Sequence, residues 1–274
     1  MNDVARSNEA GHTVRRSVSA HLEMQVVEEA DVVLAIAVDG GYERVDEQLL
    51  VSVNGVSVAV TTQDQLHFLK GLDCGLLLVD YQATVVGTTR PVPGTDLDSL
   101  RSIRPSRYCE SDRLGPFARA EFDGLEGAEL LAGVSSWVGT NIAYVTGSSR
   151  PIDGAVSTLL AREGVCRDFA HLTAALLRAN DVPARVVSVY APGLVPMDFH
   201  VVTEACIDNV WYVVDPTCLA PRDALVRIAT GSDASDVAFL TTTRGAVELG
   251  YMSVTAVIDG DLPDDDIMQL VSLR

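Results

Sequence analysis

The sequence predicts an α+β protein in two parts, and three observations carry that expectation. Short β-branched segments with turn signals fill the first third of the chain, helical periodicity then takes over, and strands return after it. Helices and strands are segregated, which argues against a doubly wound parallel sheet. The chain has 274 residues, a length that favours two domains. At 47% hydrophobic residues it has ample material for packed cores.

In chain order, residues 1–17 are polar and read as a frayed tail. From His21 to Val92 come VVLAIAVD, QLLVSVNG, VSVAVTT and GLLLVDYQATVVG, punctuated by Gly40-Gly41 and Asn54-Gly55. Residues 18–100 are therefore expected to form a β-sandwich-like or small barrel domain. Residues 91–116 hold four of the eleven prolines among polar neighbours and read as a linker. Residues 101–274 make the second domain. Within it Leu114–Glu121 looks helical, Leu125–Ile142 has helical spacing broken at Gly133, and Val156–Arg162 is a helix stopped by Gly164. A further helix runs from Cys166 to about Asn180, where Asp181-Val182-Pro183 ends it. Val165, Phe169, Leu172 and Leu176 give it one buried face. ARVVSVY, FHVVTEACI and VWYVVDPT then read as strands.

A net charge of −18, with Lys70 the only lysine, repels nucleic acid and anionic membrane, so neither is expected as a partner. Oligomeric state is left open. Five cysteines without a CxxC pair argue against structural zinc, and no cofactor is called for; the thiols read as reduced and the compartment as cytoplasmic. Arg15-Arg16 is followed by Ser-Val-Ser-Ala-His, which is no secretory apolar region, and no run approaches the roughly 20 apolar residues of a membrane span.

The chemistry centres on EGVCRDFAHLTAALL, where Cys166 opens a helix. Unpaired N–H groups and the macrodipole there favour an anion, and such positions pull a thiol pKa down from ~8.5. The bland alternative is a small buried hydrophobe. A nucleophilic thiol needs a base. Five residues turn a helix through about 500°, so His171 lies roughly 140° round from Cys166 and is assigned to packing or a hydrogen bond. His12, His21 and His67 lie in the tail or the first domain, which leaves His200. Asp208-Asn209 signals a two-residue hairpin, and with that turn Val202 opposes Asp215. His200 and Asp215 become diagonal neighbours, roughly 7–8 Å apart at Cα. Glu204 shares the face and is the alternative orienting acid.

GVCRDFAHLTAALLRANDVPARVVSVY, then DFH, then WYVVDPT, resembles the transglutaminase-like cysteine protease superfamily. The order Cys, His, Asp fits, with gaps of 34 and 15 residues. The strand-rich first 100 residues resemble the β domain of bacterial members, RPSRYCESD their linker, and ATGSDASDVAFLTT their C-terminal segment. The resemblance implies a papain-like core with Cys166 as nucleophile, His200 as base and Asp215 as orienting acid. Members often carry Ala-Trp after the histidine; Val201-Val202 stand here, so the wall beside the site differs. The function so implied is thiol-dependent hydrolysis of a peptide or isopeptide amide through an acyl-enzyme, with a peptide or protein as substrate. Acyl transfer to an amine, and a binding module on the same fold, are the alternatives. Metal binding by the three residues lacks any local ligand pair.

Overall fold

The computed structural model describes residues 14–87 and 93–273. Most of the expected tail, with His12, and part of the expected linker, residues 88–92, lie outside the described residues. The tail expectation fails at its end, because Arg15 already opens a strand.

That strand, β1 (Arg15–Leu34), alternates with a period of two: Val18, Ala20, Leu22, Met24 and Val26 are buried and the residues between them face outward. It is followed by β2 (Glu43–Val53), β3 (Val56–Ser57), β4 (Thr61–Gln63), β5 (Leu66–Leu72) and β6 (Gly75–Val86). Helices follow: α1 (Asp96–Ser102), α2 (Ser111–Glu121) and α3 (Gly127–Asn141). Then come β7 (Ala143–Tyr144), α4 (Ala155–Ala161), β8 (Glu163–Gly164), α5 (Cys166–Ala179), β9 (Ala184–Tyr190), β10 (Phe199–Ile207) and β11 (Val210–Val214). A 3-10 turn at Arg222–Ala224 precedes β12 (Val226–Gly231), and β13 (Leu240–Ile258) closes the list.

The first strands do not make the two hydrogen-bonded layers of a sandwich. They form one sheet in the order β3-β2-β6-β1-β5-β4, with β13 along the other side of β1. The length of β1 is the reason. Residues 15–26 pair with β6 and residues 30–34 with β5, so both hairpins share one hydrogen-bonded surface.

The domain boundary also needs correction. β13 runs antiparallel to β1 from Leu34↔Leu240 to Arg16↔Ile258, so a segment assigned to residues 101–274 completes the sheet of the first part. The two parts share a core. Tyr190 donates its hydroxyl to Ile36 O at 2.7 Å, the Asp39 N–H reaches Arg227 O at 2.9 Å, and the Gln65 amide exchanges two hydrogen bonds with the Thr230 backbone.

In the second part a four-stranded sheet, β11-β10-β9-β12, carries α5 on one face. α2, α3 and α4 cover the remaining sides of α5, so Asp168 to Ala179 are buried all round, not along one stripe. Gly133 does not break α3, and α4 ends at left-handed Arg162 (φ 59°) before Gly164, which pairs in β8. The expected linker is largely structure: Cys109 is fully buried and residues 96–102 and 111–121 are helical. Among the described residues no helix is long and apolar enough to cross a membrane.

Candidate active site

Cys166 is the first residue of α5, half-buried, and Val165 before it is extended. The Asp168 carboxylate reaches back to accept the Val165 N–H at 2.9 Å, which fixes the entry of the chain into the helix. The first turn of a helix leaves backbone N–H groups without intrahelical partners, and Cys166 stands in that turn.

His200 comes from β10. Asp208 and Asn209 both take positive φ (51° and 61°), the turn that suits a twisted two-residue hairpin. The register follows: Ile207 opposes Val210, Cys206 opposes Trp211 and Thr203 opposes Val214. One step further, Asp215 meets the histidine: His200 Nε2 and Asp215 Oδ2 are 2.8 Å apart, both side chains almost wholly buried. The second carboxylate oxygen is also occupied, accepting the Thr217 N–H at 3.0 Å and the Thr217 hydroxyl at 2.7 Å. α3 approaches this turn closely; a Cβ on Gly139 would sit 2.7 Å from Pro216 O. The Cys166 thiol lies within interaction range of the same ring, and with Nε2 engaged, Nδ1 is the nitrogen left for sulfur. The structure thus brings Cys166, His200 and Asp215 together.

Residues 124–216 match the model of the transglutaminase-like superfamily. The chain carries a transglutaminase-like domain. A protein from Cytophaga hutchinsonii, provisionally named a cysteine protease, has a solved structure that superposes with a TM-score of 0.86 at 29% identity, covering 96% of this chain and 99% of its own. Uncharacterized protein ML0607 of Mycobacterium leprae is 28% identical over 159 residues, 54% of this chain and 57% of that protein. Uncharacterized protein Rv2569c of Mycobacterium tuberculosis is 47% identical over 62 residues, 23% of this chain and 20% of its own length. The matches therefore span less than two thirds of these curated relatives.

Electrostatics in the transglutaminase-like domain follow from burial and pairing. Burial is the largest influence on His200 and works against its charged form; Asp215 and Cys166 together outweigh it and raise the pKa. Burial likewise opposes the Asp215 carboxylate, but His200 and Thr217 hold its pKa below the usual value. Glu204 is not free to orient the histidine. It is fully buried between Arg185, whose Nη2 lies at 2.6 Å, and Arg227.

The other described histidines lie elsewhere. His171 accepts the Ala234 N–H at Nε2 (3.1 Å) and stacks on Tyr108, 5.4 Å between ring centres. His21 pairs with Asp80 and Glu23, and His67 with the Thr62 hydroxyl, all within the first sheet. The Cys74 thiol meets Val27 O there. Among the described residues no three His, Cys, Asp or Glu side chains gather as a metal-holding group.

Sequence reasoning missed Tyr144. Its phenol lies close to the Cys166 backbone and thiol, and burial, the Cys166 charge and Asp198 push its pKa up to about 12. Tyr144 lies in the two-residue strand β7, whose pairing with β8 carries it to the head of α5. An aromatic in so short a strand leaves no periodic signal.

Proposed function

We propose that the protein is a thiol hydrolase that cleaves a peptide or isopeptide amide through an acyl-enzyme on Cys166. The observation that carries this reading is the unbroken contact chain Cys166–His200–Asp215, closed at 2.8 Å between imidazole and carboxylate. In the first half-reaction the Cys166 sulfur bonds to the carbonyl carbon while its proton passes to His200 Nδ1. The oxyanion so formed is steadied by N–H groups at the head of α5, with the Tyr144 phenol close by. His200 then gives its proton to the leaving nitrogen as the C–N bond breaks, and the acyl group stays as a thioester. Water, deprotonated by His200, displaces the thiolate and releases the acid. Asp215 keeps Nε2–H oriented throughout and does not itself take a proton.

The five free cysteines suit a reducing compartment, and we assign the activity to the cytoplasm. Cys166→Ala should abolish turnover and leave the fold intact, since one small, half-buried side chain is removed. The deciding experiment offers an acyl donor with and without a primary amine and follows both products by mass spectrometry. Acid as the main product supports hydrolysis; amide with the added amine as the main product replaces it with acyl transfer. Failure of Cys166 to form a thioester with any amide or ester donor removes the enzyme reading.

A further inference from the structure

Bond-making falls to Cys166, His200 and Asp215; what the site selects falls to the groups around them. Three of the carboxylates there are already engaged. Glu204 lies between two arginines, Asp215 binds His200, and Asp168 accepts the Val165 N–H. Asp198 is the exception. Its Oδ1 accepts only the N–H of its own neighbour Phe199, at 2.7 Å. Among the described residues no lysine, arginine or histidine lies within ion-pair distance of it.

Its place in the chain puts Asp198 at the site. His200 is two residues further on, a span of at most about 7 Å between Cα atoms. Asp198 also shares a cavity wall with Arg167, the residue after Cys166, so the loop before β10 reaches the head of α5. Asp198 and His200 feel each other's charge, and so does the Tyr144 phenol, which itself lies close to the Cys166 thiol. Asp198 is exposed, yet the protein around it removes enough water to push its carboxyl pKa up; the Phe199 N–H and His200 pull the other way. A carboxylate left unmatched and partly desolvated is stabilised by a cation that docks on it. Arg167 does not fill that part, because its Nη2 is taken by Ser149 Oγ and Arg150 O.

We propose that Asp198 is a specificity residue that selects acyl donors with a cationic side chain, an ammonium on an alkyl stem as in lysine, beside the amide that Cys166 attacks. The exposed side chains of Met197 and Tyr144 supply apolar surface for the stem. The excess of 38 acidic over 20 basic residues draws cations to the protein as a whole and makes no choice between sites. The proposal rests on the assignment of Cys166 as nucleophile, and the test separates the two.

Wild-type protein is labelled with the chloromethyl ketones of acetyl-lysine and acetyl-norleucine, which share the alkyl stem and differ in the ammonium. Iodoacetamide reports thiol reactivity alone. Mass mapping reads Cys166 against the exposed Cys74, which feels the same net charge but lies in the first sheet. The lysine reagent should label Cys166 about ten-fold faster than the norleucine reagent and Cys74 no more than about two-fold faster, and added salt should shrink the ratio at Cys166. Asp198→Asn keeps an oxygen for the Phe199 N–H and should bring the Cys166 ratio down to about two-fold, the loss falling on the lysine reagent; Asp198→Glu should restore most of it. Equal ratios at the two cysteines, or a ten-fold ratio that survives in Asp198→Asn, overturns the proposal and leaves the nucleophile standing. Slowing of all three reagents alike in Asp198→Asn would show that Asp198 acts through His200, and the specificity role falls. No labelling of Cys166 by any reagent removes the nucleophile and the specificity role with it.

Discussion

His171 and His200 are each 1% exposed, yet the fold drives their protonation in opposite directions. Around His171 burial dominates; Asp233 opposes it, Arg167 and Arg178 add to it, and the pKa falls to about 3. Around His200 burial is again the largest single influence, but a carboxylate at 2.8 Å and the Cys166 sulfur reverse it. Burial therefore sets the default for an imidazole, and a contact carboxylate together with a neighbouring thiol overturns it. A ring held neutral presents one fixed proton; a ring held near the charged state can take and return one. The same contrast separates the two carboxylates of the hairpin face. Glu204, between two arginines, is committed to structure, whereas Asp215 faces a group that can lose its proton.

Removing the carboxylate from this contrast should have the largest effect. Asp215→Asn keeps the geometry but favours the wrong tautomer, and turnover should fall roughly 10³–10⁴-fold. NMR titration should show the His200 pKa moving toward that of His171; a pKa left high would mean that Asp215 is not what raises it. Next comes Glu204→Gln, which leaves Arg185 and Arg227 without their shared carboxylate. Stability should drop by about 3 kcal/mol in denaturant titration, while the rate of Cys166 labelling stays within about two-fold. A large loss of labelling would show that Glu204 shares in orienting the site.

Thr217→Val should have a smaller effect, because Asp215 keeps its bond to His200 and the Thr217 N–H. Losing the 2.7 Å hydroxyl bond should cost about 1.5 kcal/mol and lower turnover about ten-fold. The gentlest test is pH. The unfolded chain protonates His171 near pH 6.5, while the fold resists until about 3, so this contribution is full above 6.5 and lost as pH falls through that window. His200 does the reverse: its contribution is full below about 6.5 and lost as pH rises toward about 10. Its slope can reach about 1.4 kcal/mol per pH unit, and His200→Gln should flatten the alkaline side of the stability curve alone. A flattened acid side instead would invert the comparison.

How much of this could be read in advance depends on how local the determining signal is. The meeting of His200 and Asp215 follows from parity along one hairpin, and Asp208-Asn209 announces its turn within two residues. Cys166 was legible because a glycine and an apolar-periodic run bracket it. Glu204 was ambiguous in sequence because its arginine partners come from β9 and β12. Tyr144 and Tyr108 reach α5 through a two-residue strand and an apparent linker, and neither carries a pattern that names its neighbour. β13 was missed for a related reason. Its one buried face belongs to a sheet begun more than 200 residues earlier, and along most of its length it is exposed.

The pairing of Arg16 with Ile258 has a consequence for the order of assembly on the ribosome. β1 is made well before the strand that covers one of its sides, which follows more than 200 residues later. At about 5–20 residues per second, β1 must wait roughly ten seconds or more with that side open. An exposed strand edge of 20 residues is a hazard for misassociation in that interval. The acidic residues Glu23, Glu28, Glu29 and Asp31 along it supply the charge repulsion that keeps nascent copies apart.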